Sequence, residues 1–318
     1  MAENEQITDK PGAPEAPTQT GKPEKPKHLE LSQIKLPRWI GIAVADYVGG
    51  CVLAALLITP FRFMTFEGEW AWLPSVLSSF LTFASLFIMA AVVLRLIGKT
   101  SLKTFIVGEG RGIDWRQCGV IALLYLLGFG LNVLICSGFG QYLSVNPIGI
   151  APKLVSFLIA VVFTWMQTTW EELAFRGLFL RWACGNKISP TARCIGAGIV
   201  STLIFMALHA SNPEVLAQSG PADLVMALAC YFFAGASLYV LDVAYGDLMP
   251  GCVCHWVNNF MNFAFFNQAG TVIVMAAFFV DSTPVNAAYM LTSTVIAYAP
   301  VLIYTFIRLK KGTLRLAD

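Results

Sequence analysis

Charge is scarce in this chain. Only 13% of its 318 residues are Asp, Glu, Lys or Arg, against roughly 25% in soluble domains. With 57% hydrophobic residues, a soluble domain of this length is excluded. Other absences narrow the reading. No basic stretch is interleaved with aromatics, which excludes a nucleic-acid partner. The eight cysteines include no CxxC pair; lying mostly in apolar runs, they read as small buried hydrophobes. There is no GxSxG, and no serine or cysteine makes a triad-like pair with a histidine. The net charge of +2 singles out no partner.

What the chain has instead is apolar length. Runs of about 20 apolar residues, enough to span a bilayer as a helix, recur along it, and the short alternating segments of a barrel do not. The expected fold is an all-α membrane protein, a polytopic bundle of about eight transmembrane helices, at 39–61, 72–97, 117–138, 153–182, 192–211, 222–245, 248–267 and 286–308. A further apolar piece at 270–280 is too short to span and is expected to be re-entrant or interfacial. Residues 1–37 hold six of the 16 prolines and many charges. They are expected to form a disordered cytoplasmic tail, and no apolar h-region marks them as a cleavable signal. A helical domain then covers 38–310, followed by a short tail at 311–318.

Of the 21 basic residues, all but Arg62, Lys153 and Arg176 fall in the N-terminal tail, the loops after the second and fourth spans, or the C-terminus. That bias predicts a multi-pass protein of the cell membrane with both termini cytoplasmic. An even number of spans agrees.

The polar residues inside spans are few. An ionisable group at membrane depth costs about 2.5–3.5 kcal/mol on insertion scales and is a functional candidate by default. The fourth span carries "TWEELAFRG", with Glu171, Glu172 and Arg176. At about 100° per residue, Glu172 and Arg176 share a face as an i, i+4 pair, whereas Glu171 points about 140° away from Arg176. Arg176 therefore neutralises Glu172, and Glu171 is left as a carboxylate without a partner on its own helix. Burial opposes its ionisation, which suits a general base or acid near neutral pH. The fifth span ends at His209, with Phe205 one turn earlier. On the seventh, His255, Asn258, Asn259 and Asn262 form one polar stripe at i, i+3, i+4 and i+7. Such a stripe faces other helices or a wet cavity, not lipid. Its plainest role is interhelical hydrogen bonding, at about 0.6 kcal/mol per bond.

In order and spacing, EExxxR (Glu171, Glu172, Arg176), FxxxH (Phe205 to His209) and HxxxN (His255 to Asn259) resemble the motifs of the CPBP family of intramembrane proteases, which includes the CAAX prenyl endopeptidases and bacteriocin-processing or immunity proteins. The resemblance covers 153–266. It implies an eight-helix fold whose enclosed active site opens towards the cytosol. It also implies that Glu171 activates a water with help from His209, that His255 and Asn259 donate to the oxyanion, and that Glu172 and Arg176 support the site. The partners it implies are a membrane-bound peptide or protein substrate and the bilayer itself.

Simple depth counting fits this unevenly. By helical rise from Arg181 and Asp247, Glu171 and His255 lie about 15 and 12 Å from the cytoplasmic end, but His209 lies about 24 Å from Arg193. Two rival readings are a non-catalytic scaffold or immunity factor of the same fold, and a proton-coupled transporter. Against the transporter stand the lack of paired broken helices and of a second copy of the charged motif. No cofactor is expected. The minority alternative is a zinc ion held by Glu171, His209 and His255, a set that lacks the HExxH spacing of zinc proteases.

Overall fold

The computed structural model describes residues 34–138, 143–185, 188, 191–268, 275–282 and 286–314. Most of the expected tail at 1–37, half of the tail at 311–318, and residues 270–274 of the apolar piece lie outside the described residues.

The chain folds as a helical bundle. Its helices are α1 (Leu36–Ile58), α2 (Leu73–Leu96), the short α3 (Leu102–Val107), α4 (Trp115–Gly138), α5 (Ile150–Glu171), α6 (Leu178–Cys184), α7 (Ala192–Leu208), the single turn α8 (Pro213–Leu216), α9 (Pro221–Tyr245), α10 (Met249–Phe260) and α11 (Ala287–Lys310). Local sequence explains several ends. Thr191 caps α7 by accepting from the Cys194 amide, and Asn286 caps α11 through the Ala288 and Tyr289 amides. Gly246 closes α9 in the left-handed conformation, at φ 74°.

Among the described residues, seven helical segments are long and apolar enough to cross a membrane: Leu36–Phe61, Gly68–Leu96, Trp115–Ile135, Ile150–Cys184, Ala192–Ser211, Pro221–Tyr245 and Ala287–Lys310. Large apolar side chains point outward from them, for example Leu56, Leu123, Leu134, Leu158 and Phe306. The protein is a multi-pass membrane protein. The expected span at 248–267 is not among the seven. Its 12-residue α10 is extended by a five-residue π-helical turn, Met261–Phe265. Together they rise about 25 Å, short of the roughly 30 Å hydrocarbon core. The polar stripe also lowers its hydropathy. It belongs inside the bundle, and Met249 through His255 are all buried.

The two ends of the bundle differ. At one end gather the basic residues. Arg38 reaches the Ile97 carbonyl, Arg181 donates to the carbonyls of Phe105 and Ile106, and Arg111 pairs with Asp247 at 2.9 Å. Burial pushes the Asp247 carboxyl above the usual carboxylate range, and Arg111 draws it back. At the other end lies a small sheet that the sequence did not foretell. Its strands are β1 (Leu143–Val145), β2 (Phe266–Gln268) and β3 (Phe279–Asp281), in the order β1-β3-β2. β1 pairs antiparallel with β3, and β2 pairs parallel with it. The apolar piece at 270–280 thus ends in a sheet strand at 279–280. Nearby, Lys153 and Asn146 tie α5 to this layer through Asn146 O and Ala277 O.

Because β2 follows α10 and β3 precedes α11, α10 carries the chain from the basic end to the sheet end. It plays the topological part of an eighth crossing although it is short. One cysteine expectation also changes: Cys184 and Cys194 are joined as a disulfide, Cα to Cα 6.0 Å. Cys118, Cys230, Cys252 and Cys254 are buried, as read from sequence, whereas Cys51 is exposed.

Candidate active site

The fourth span does not run as a regular helix through its motif. α5 ends at Glu171, and a π-helical turn occupies Glu172–Gly177 before α6 begins. A second π turn follows the HxxxN motif in α10. Such turns insert an extra residue and re-aim the side chains around them, often at functional sites. Here the change of winding falls between the two glutamates.

Their environments diverge. Glu172 and Arg176 are buried, at 0% and 1% exposure. Arg176 Nη1 donates to Glu172 Oε1 at 2.6 Å, and the guanidinium lies over the Phe205 ring, 4.6 Å from its centroid. Glu171 instead lies on the wall of a cavity of about 410 Å³. Gln167 Nε2 donates to its Oε1 at 3.2 Å, and its Oε2 lies 3.6 Å from His255 Nε2. The i, i+4 pairing read from sequence is therefore present, and the separation of the two carboxylates is real.

His255 joins both. Its Nδ1 is 2.6 Å from Glu172 Oε1. An ionised carboxylate paired with arginine only accepts hydrogen bonds, so Nδ1 carries the proton and Nε2 is the atom turned to Glu171. His209 sits at the C-terminal end of α7, where a 3-10 turn, His209–Ser211, takes over. Its Nδ1 lies 2.7 Å from the Phe205 carbonyl. A carbonyl cannot donate, so this nitrogen is protonated too and Nε2 remains to accept. The ring stacks on Tyr231 and lies tilted against Phe205, at centroid distances of 4.5 and 4.2 Å. Phe205 thus serves all three motifs: its ring meets Arg176 and, edge-on at 6.1 Å, His255, while its carbonyl holds His209.

The stripe on α10 is ordered by its own bonds. Tyr125 on α4 donates to Asn258 Oδ1 at 2.7 Å, and Asn258 Nδ2 donates to Asn259 Oδ1 at 2.8 Å. With its oxygen engaged, Asn259 presents its NH₂ as the remaining donor. Asn262 bonds back to the Asn258 carbonyl.

The cavity brings together Glu171, His209, His255 and Asn259, while Glu172 and Arg176 lie behind the wall. His209 and His255 line the same cavity despite the uneven depths counted along their separate helices. The cavity continues past His209 to Asn212, Glu214 and Asp281, that is, towards the sheet end.

Sequence reasoning missed Gln167, Tyr125 and Tyr231. Gln167 was detectable, since it stands one turn before Glu171 on a span. The tyrosines come from other helices and left no local signal. Among the described residues, no group of three His, Cys, Asp or Glu side chains is arranged to hold a metal ion.

Residues 152–261 match the family model for type II CAAX prenyl endopeptidase Rce1-like proteins. No curated protein and no solved structure matches the chain. The matched segment holds all three motifs and the part of the cavity wall they form, and this Rce1-like domain supports the resemblance to the CPBP family of intramembrane proteases.

Proposed function

We propose that the protein is an endopeptidase that hydrolyses a peptide bond in a membrane-associated, lipidated or leader-type substrate, using water activated by Glu171. The observation that carries this reading is one cavity wall bearing Glu171, His209, His255 and Asn259 from three helices. Peptide hydrolysis needs a base, a held water and donors aimed at the developing oxyanion. A water between Glu171 and His209 Nε2 gives one hydrogen to each, which leaves its lone pair directed at the substrate carbonyl. Glu171 takes the proton as the C–O bond forms and passes it to the leaving amine as the C–N bond breaks.

Asn259 NH₂ and His255 Nε2–H take the oxyanion. For His255 to donate from Nε2 while Nδ1 donates to Glu172, the ring must be the imidazolium. In this reading Glu172 is a support that orients His255. No metal takes part, and Glu171, His209 and His255 act as hydrogen-bonding groups, not zinc ligands.

The basic end faces the cytoplasm, and so do both termini, with α10 supplying the eighth crossing. Reporter fusions at residue 20 and at the C-terminus should read cytoplasmic, and one at 216 external. A cytoplasmic reading at 216 would reverse the orientation. The substrate is found by comparing the membrane proteomes of cells carrying the wild type and Glu171→Gln. Peptides processed only with the wild type support the protease. Identical peptide sets would leave the scaffold reading in its place.

A further inference from the structure

Gln167 stands one turn before Glu171 on α5, and the chemistry above makes no use of it. The residue is 8% exposed and forms part of the cavity wall. Its Nε2 donates to Glu171 Oε1 at 3.2 Å. Its own Oε1 is buried and has no partner among the described residues. A buried amide with an unpaired carbonyl weakens a fold, so stability does not account for it. Its polar neighbours behave differently. Thr164 and Thr168 return their hydroxyls to their own helix, to Ala160 O at 2.6 Å and Thr164 O at 2.7 Å. Among the described residues, the side-chain bond of Gln167 goes forward, to the motif.

We infer that Gln167 is the positioning residue of Glu171. Its N–H holds Oε1, so that Oε2 is the oxygen left facing His255 and the substrate water. The inference rests on the reading of Glu171 as the base. Other charged groups surround Glu171 without taking this place. His255 approaches from α10 on the Oε2 side, and His209 of α7 lines the same cavity. Glu172 and Arg176, on the same helix, bond to each other. Asp46 of α1 reaches Trp170 Nε1, at 3.1 Å, and stops there.

The test uses the full chain in nanodiscs, with Gln167→Met, which keeps length and removes the donor, and Gln167→Glu, which keeps polarity and adds a like charge. Infrared carboxylate bands that vanish in Glu171→Gln report the hydrogen bonding of Glu171 directly. The probe for cleavage is a membrane-anchored fluorogenic peptide with a farnesylated CAAX C-terminus. At a fixed pH those bands should shift in Gln167→Met and in Gln167→Glu, and the maximal cleavage rate should fall by about tenfold with the Michaelis constant nearly unchanged. Lost activity with the bands unmoved would overturn the inference, because a merely structural role produces that pattern. Shifted bands with no cleavage even by the wild type would support the coupling and remove the protease reading. Should Gln167→Met not fold, Gln167→Glu carries the same test.

Discussion

Two regions meet at the π turn of the fourth span, and each holds one glutamate of the EE pair. On one side is a cavity wall where Glu171, His209 and Asn259 have bonds that fix them yet keep an atom free. On the other is packed protein, where Glu172, Arg176 and the Phe205 ring close on one another. Identical side chains, one residue apart, thus meet opposite demands. A group meant to react with substrate faces the cavity; a group meant to hold a charge in place is enclosed by protein. His255 stands on the boundary, bonded to the packed side through Nδ1 and facing the cavity through Nε2.

The largest effect is expected on the packed side. Arg176→Met or Glu172→Gln leaves one member of a buried pair uncompensated, which should cost about 3–5 kcal/mol of stability. Unfolding in detergent, followed by circular dichroism, measures it. Destabilisation under about 1 kcal/mol would erase the contrast between the two regions.

On the cavity side the effect should be kinetic. Asn259→Ala should slow the chemical step by about 10²–10³-fold, with substrate affinity nearly unchanged. Single-turnover cleavage measured beside substrate binding separates the two. A change confined to the Michaelis constant would make Asn259 a substrate-positioning group.

Smaller still is the expected response to chelators. A site built on hydrogen bonds should keep its rate in excess chelator, and the purified protein should carry no stoichiometric zinc. One tightly bound zinc per chain, lost together with activity, would move Glu171, His209 and His255 from base and donors to ligands.

The smallest effect lies at the basic end, far from both regions. Arg111 is 48% exposed where it pairs with Asp247, so Arg111→Ala should cost under about 1 kcal/mol. A loss comparable to that of Arg176→Met would show that the turn before α10 controls the site.

Much of this was legible in the sequence. Apolar length located seven of the spans, because lipid-facing helices have few other compositions open to them. The three motifs marked out 153–266 as the resembling segment, close to the 152–261 matched by the family model. Helical periodicity also separated Glu171 from the Glu172–Arg176 pair, since an i, i+4 contact is local. What stayed hidden is non-local. The π turns are set by what packs around them, not by a residue pattern in "TWEELAFRG". The sheet joins residues more than a hundred positions apart, as in the pairing of Leu143 with Asp281. That His209 and His255 line one cavity was equally non-local, since it depends on how α7 and α10 pack and not on counts along either helix.

The division of labour between the two glutamates is the centre of this account. It is tested most directly by measuring peptide cleavage and thermal unfolding together for Glu171→Gln and Glu172→Gln. Glu171→Gln should unfold within a few degrees of the wild type and cleave nothing, while Glu172→Gln should lose both stability and activity. Cleavage by folded Glu171→Gln, or equal loss of folded protein in both variants, would contradict it.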